Sequence, residues 1–151
     1  MTASAGGYVN TLLVDPRSPK EQRRFVAAHS FAERLSIMDG TSLGGAGLTA
    51  NGSEGIQISE DGGKTWTASN SGLNPENLNV VQMVADPRNF DVLYAAVFLR
   101  IEDGKSLSGG LYRSSDSGRS WSRLDGLPLG NVSSVVILAD GSLVEIGRAH
   151  V

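Results

Sequence analysis

"ISEDGGKTW", residues 58–66, sets an aspartate two residues before a glycine and five before a tryptophan. Taken singly, such a stretch fits a metal loop, a catalytic carboxylate or a plain turn. The chain decides by repeating it. "GIQISEDGGKTW" (55–66) aligns with "GLYRSSDSGRSW" (110–121) at an offset of 55, and five of the twelve positions are identical: Gly55/Gly110, Ser59/Ser114, Asp61/Asp116, Gly63/Gly118 and Trp66/Trp121. Lys64/Arg119 and Thr65/Ser120 are conservative. Upstream, "VNTLLVDPR" (9–17) aligns with "VVQMVADPR" (80–88) at an offset of 71, and "FVAA" (25–28) with "LYAA" (93–96) at 68. Blocks in fixed order with variable gaps are the mark of a repeat architecture. A third copy begins at "SVVILADG" (134–141), where Asp140 takes the place of Asp86.

Each unit holds four strand-like pieces: 8–14, 24–29, 55–59 and 65–69, then 79–85, 92–98, 110–114 and 120–124. Asp-Pro-Arg closes the first strand of each, since proline cannot donate to a continuing ladder. Four short antiparallel strands in about 50 residues is the arithmetic of a β-propeller blade. The expected fold is therefore all-β. Two consecutive four-stranded antiparallel blades occupy 8–72 and 79–127, and the first strands of a third occupy 132–144. A propeller needs about four blades or more to close, so the chain reads as a fragment partnered by the remaining blades of a parent. The last seven residues, "EIGRAHV" (145–151), can be encoded by a string resembling a sequencing adapter, and read as a non-native tail. His150 is set aside with them.

The twice-repeated Ser-x-Asp-x-Gly-x-Thr/Ser-Trp resembles the Asp-box, or bacterial neuraminidase repeat. The resemblance runs from about residue 8 to 144. It extends to propellers of several trades: sialidases, xyloglucanase-like glycosidases, sortilin-type receptors and photosystem II assembly factors. It implies structural roles for Ser59, Asp61, Gly63, Thr65 and Trp66, and for Ser114, Asp116, Gly118, Ser120 and Trp121. It also implies an extracytoplasmic or secreted setting. The residues agree on the structural role. An aspartate in a tight turn accepts hydrogen bonds from backbone N–H groups just ahead, glycine supplies turn conformations that a Cβ disfavours, and a tryptophan lays a large apolar ring on the blade. A calcium loop wants three or more alternating oxygen ligands, which "SEDGGK" does not offer. No metal and no cofactor is expected.

Composition narrows the partners. Of 151 residues 19 are glycine, which suits a turn-rich β fold. Thirteen basic against sixteen acidic residues give a net charge of −3, with no Lys/Arg stripe, so nucleic acid is not an expected partner. The longest apolar runs, such as Val92–Leu99, are far too short to span a bilayer. The chain has no cysteine, which excludes disulfides and thiolate metal sites. No signal-peptide pattern opens it, and Met1 reads as an internal start, so compartment is left open.

Little remains for chemistry. The connection between second and third strands is 26 residues long in unit one (29–54) and 13 in unit two (97–109). In the resembled family this edge faces ligands, with the loops 70–78 and 125–132 beside it. Function concentrates on loops carried by rigid scaffolds, which singles out His29, Arg34, Asp39, Arg100, Glu102 and Asp103 for a carbohydrate or protein ligand. None has a motif behind it, and the solvated loop residue is the first reading of each. Ser30-x-x-Glu33 is a capping-box pattern that predicts a short helix near 31–38; one longer helix over 19–38 is the alternative. Asp15 and Asp86 are read as turn acceptors. "FLRIED" (98–103) has the Arg-Ile but not the proline of the sialidase Phe-Arg-Ile-Pro motif, and "GGAG" (44–47) reads as linker. No catalytic constellation is visible. The first reading of function is a non-catalytic scaffold or ligand-binding repeat region; the second is part of a sialidase-like or xyloglucanase-like glycoside hydrolase whose catalytic residues lie mostly on other blades. A repeat stalk of a surface protein is the third.

Overall fold

A computed structural model of the chain describes residues 8–30, 54–126 and 131–148. Alternating strand patterns condense into antiparallel sheets, as their period dictates. The first sheet takes β1 (Tyr8–Val14), β2 (Phe25–Ser30), β3 (Ile56–Ser59) and β4 (Thr67–Ala68), in that spatial order. The second takes β5 (Val80–Asp86), β6 (Asn89–Val97), β9 (Gly110–Ser114) and β10 (Ser122–Arg123), again each beside the next. A third pair, β11 (Asn131–Ile137) and β12 (Leu143–Arg148), repeats the first two strands. The architecture is all-β: two consecutive four-stranded propeller blades and the opening strands of a third. Outermost β4 and β10 have two residues each, which keeps the open sheet edges short.

One alternative of the sequence reading falls, and one connection departs from it. Residues 19–30 form no long helix: a single 3-10 turn at Lys20–Gln22 is followed directly by β2, so the strand reading of "FVAA" holds over its helical alternative. The helix expected near 31–38 lies outside the described residues. Nor is 97–109 a plain loop. It carries a hairpin of its own, β7 (Arg100–Glu102) and β8 (Lys105–Leu107), turned at Asp103 and Gly104 with φ of 50° and 75°. Two positive φ values in a two-residue connection match the twist of antiparallel strands.

The blades stack through apolar faces. Val80, Met83, Leu93, Tyr112 and Trp121 of blade 2 bury against Val26, Ala28, Ile56 and Ile58 of blade 1. Ala96 and Leu111 on the other face of blade 2 bury against Val132 and Val135 of the third pair. A hydrogen bond recurs at each junction. Thr11 Oγ1 accepts the amide of Met83 at 3.2 Å, and Gln82 Oε1 accepts that of Val135 at 2.8 Å. Thr11 and Gln82 are equivalent in the repeat, and each follows an irregularity in its innermost strand.

Gly72 marks how close the blades come. Its φ is +89°, and a Cβ there would lie 1.8 Å from the carbonyl oxygen of Trp121. Gly104 has a similar φ of +75° and open space around it. Gly72→Ala should cost about 3 kcal/mol or more, Gly104→Ala only the backbone strain of roughly 1 kcal/mol. Thermal melts of the two variants check this; equal shifts would mean that the Gly72–Trp121 approach does not constrain the blades.

Candidate functional site

Antiparallel order gives each blade two edges. One carries the turns β1–β2 and β5–β6 together with the aspartate turns 60–66 and 115–121. The other carries the end of β2, the start of β3 and the connections 98–109 and 69–79.

On the first edge the two aspartate turns are near-copies. Asp61 Oδ1 accepts the amides of Lys64 and Thr65, both at 3.0 Å, and Oδ2 accepts Thr65 Oγ1 at 2.6 Å. Ser59 Oγ donates to Asp61 Oδ1 at 2.9 Å and accepts Gly63 N at 2.8 Å. Asp116 does the same with Arg119 N, Ser120 N and Ser120 Oγ, at 3.0, 2.9 and 2.6 Å. Ser114 Oγ donates to Asp116 Oδ1 at 2.7 Å and accepts Gly118 N at 2.8 Å. The Thr65 hydroxyl and amide, followed by Ser59 and Lys64, hold the Asp61 carboxyl at a pKa of about 2. Burial pushes the Asp116 carboxyl up, but bonds from Ser120, Ser114 and Arg119 outweigh it and hold it at about 2.

The tryptophans diverge. Trp121 is 4% exposed; its indole donates to Ser69 O at 3.0 Å and its amide to Ser71 O at 2.8 Å, both across the blade junction. Trp66 is 38% exposed, stacks on Phe25 at 6.2 Å and turns its indole onto its own Gly63 O.

Several other charges on this edge pair with one another. Asp15 accepts the Arg17 amide and guanidinium, all at 3.0 Å, and Arg17 reaches on to Asp91 at 2.8 Å. Asp86 and Arg88 repeat the pair. Buried Arg24 donates to Glu60 and to Ser117 O, while Arg119 holds Glu60 from the next blade. Arg17, followed by Ser117, keeps Asp91 at about 2, and Arg88 does the same for Asp86. A glycosidic oxygen is protonated by a carboxylic acid whose pKa is raised. Asp61, Asp86, Asp91 and Asp116 are all shifted the other way, each held by the turn bonds or arginines that it accepts.

The candidate ligand residues that the structure describes lie towards the second edge. Arg100, Glu102 and Asp103 come together on the β7–β8 hairpin, Asp103 exposed at its turn. His29 stands on a different blade, buried inside β2 rather than in a loop, its amide on Gly55 O. Arg34 and Asp39 lie outside the described residues. Sequence reasoning missed the residue that organises this edge. Asn77 is buried, and its amide nitrogen reaches Phe98 O, Leu107 O and Ser108 O at 3.0 to 3.2 Å. Arg100 Nη1 donates to Glu76 O at 3.0 Å beside it. The hairpin is thus clamped to the inter-blade loop. Its signal was the Asp103-Gly104 pair between alternating strands.

Over 78 residues, half of this chain, the sequence is 33% identical to the oligoxyloglucan-reducing end-specific xyloglucanase of Emericella nidulans. The match spans 8% of that relative's length. No family model matches the chain.

A carboxylate with a lowered pKa stabilises the fold above its unfolded pKa and ceases to as it is protonated. The aspartate turns should therefore lose stability as pH falls from about 4 towards 2. The acid-induced drop in melting temperature should shrink in Asp61→Asn and Asp116→Asn. Asp116→Ala should cost about 1–2 kcal/mol at pH 7, by analogy with helix caps. Melting curves across pH check both; variants that melt like the wild type throughout would mean the turns do not hold the hairpins.

Proposed function

We propose that this chain forms part of a glycoside-hydrolase-type propeller acting on xyloglucan oligosaccharides. The observation that carries the reading is the 33% identity to a xyloglucanase over half of the chain. It favours the glycosidase reading over the non-catalytic scaffold that the sequence put first. The second edge would face the sugar, with the hairpin that bears Arg100, Glu102 and Asp103 forming one wall; Arg34 and Asp39 of the long connection would be further ligand contacts, whereas His29 is buried within β2. The aspartate turns would serve as staples of the outer hairpins, on the far edge from the substrate. The acid and its partner carboxylate would come mostly from other blades, since such catalysis needs two carboxyl groups flanking one bond. Other blades of the parent would be its immediate neighbours.

Two measurements test this on the full reading frame that contains these blades. Incubation with xyloglucan oligosaccharides should release reducing-end products; release from no β-glucan would sink the glycosidase reading and return the scaffold to first place. Replacing 29–54 by the shorter 97–109 segment in that protein should lower kcat/KM by about tenfold or more, the scale of losing a few positioning contacts. A folded exchange variant with unchanged turnover would show that the long connection takes no part in substrate recognition.

A further inference from the structure

The β7–β8 hairpin is the part of blade 2 that its sheet does not hold. The ladder joins Arg100 to Leu107, Ile101 to Ser106 and Glu102 to Lys105, and none of these residues pairs with a blade strand. What holds it is the loop that enters from blade 1. Asn77, 1% exposed, spreads the hydrogens of one amide nitrogen over Phe98 O on one leg of the hairpin and Leu107 O and Ser108 O on the other. Its Oδ1 accepts the amide of Asn79 at 3.3 Å, and Asn79 O in turn accepts Phe98 N at 2.9 Å. Asn74 shapes the loop beneath, accepting Glu76 N at its side chain and Asn77 N at its carbonyl, both at 3.0 Å. A buried amide so placed is costly to lose, because each carbonyl it serves loses that donor.

Period two then sorts the hairpin's side chains. Arg100, Lys105 and Leu107 lie on the face turned to the loop. Arg100 Nη1 reaches Glu76 O at 3.0 Å, Lys105 Nζ reaches Glu76 Oε2 at 3.7 Å, and Leu107 is buried. Ile101 and Ser106, opposite one another across the ladder, lie on the other face and are exposed, Ile101 at 64%. That face sets an aliphatic side chain beside a hydroxyl. It complements a pyranose ring, which offers a C–H face and hydroxyls, and it carries no charge to desolvate.

We propose that Asn77 is the positioning residue of sugar recognition in this chain. It fixes the hairpin so that Ile101 and Ser106 meet a β-glucan chain, Ile101 against a ring face and Ser106 with its hydroxyl on a ring hydroxyl. This division of labour within the hairpin rests on the glycosidase reading above. Arg100 and Lys105 turn towards Glu76 and steady the wall; Ile101 and Ser106 touch the ligand. Neither of the latter two takes part in bond cleavage, so both contribute binding that ground state and transition state share.

The test uses the full reading frame that contains these blades, with xyloglucan oligosaccharides as the probe. Ile101→Asp should raise KM about tenfold and leave kcat within about twofold, the signature of lost uniform binding, and Ile101→Val should restore the wild-type KM. Asn77→Ala should raise KM alike, and hydrogen exchange of the 98–108 amides should quicken about tenfold while β6 and β9 keep their protection. If Asn77→Ala does not fold, Asn77→Asp keeps the volume and removes the donor, and the Ile101 pair decides the KM effect at an exposed position. An unchanged KM in Ile101→Asp, a kcat that falls as far as KM rises, or a hairpin that exchanges no faster in the Asn77 variant would each overturn the proposal and leave the glycosidase reading standing. A wild type that releases no sugar from any β-glucan overturns both.

Discussion

Both N–H groups of Trp121 donate across a blade junction, the amide to Ser71 O and the indole to Ser69 O. A sheet of short strands buries too little on its own, so each blade depends on the face of the next. These two bonds fix where that face sits. Ser69 answers by donating its hydroxyl to Gly118 O at 2.6 Å, and Gly72 brings its backbone against Trp121 O, a place where no side chain fits. The aspartate turn gives Trp121 its direction, because the carboxylate pins the two residues that precede it. Local turn and long-range stack are one device.

Trp66 shows the same motif without the seat. Its turn is as well bonded as the second, yet its ring lies half open on Phe25 and its indole closes on Gly63. The motif therefore makes the turn, and the neighbouring blade decides what the tryptophan does. Recurring motifs with unequal burial separate the two contributions within one molecule.

This contrast also explains what the sequence could disclose. Strand positions followed from aligning the repeats and from Asp-Pro-Arg, and β1, β3, β5 and β9 match to within a residue at either end. The carboxylate's acceptor role followed from turn chemistry. The junction contacts did not, since Thr11 and Gln82 are unlike side chains doing the same job 71 residues apart. Asn77 was invisible for a similar reason: a lone asparagine in a loop acquires three carbonyl partners only once the hairpin folds over it. His29, counted both with the second strand and with the connection after it, lies within β2, whose end is set by pairing with Tyr8 and Val9.

The β7–β8 hairpin pairs with no strand of blade 2; its ladder is closed within itself, and Asn77 grips only its ends and the adjoining backbone. Removing or exchanging residues 100–106 would break no rung of the four-stranded sheet. The position can therefore be lengthened, shortened or exchanged without touching the ladders that build the blade, so a change of loop there leaves the sheet's own hydrogen bonds intact.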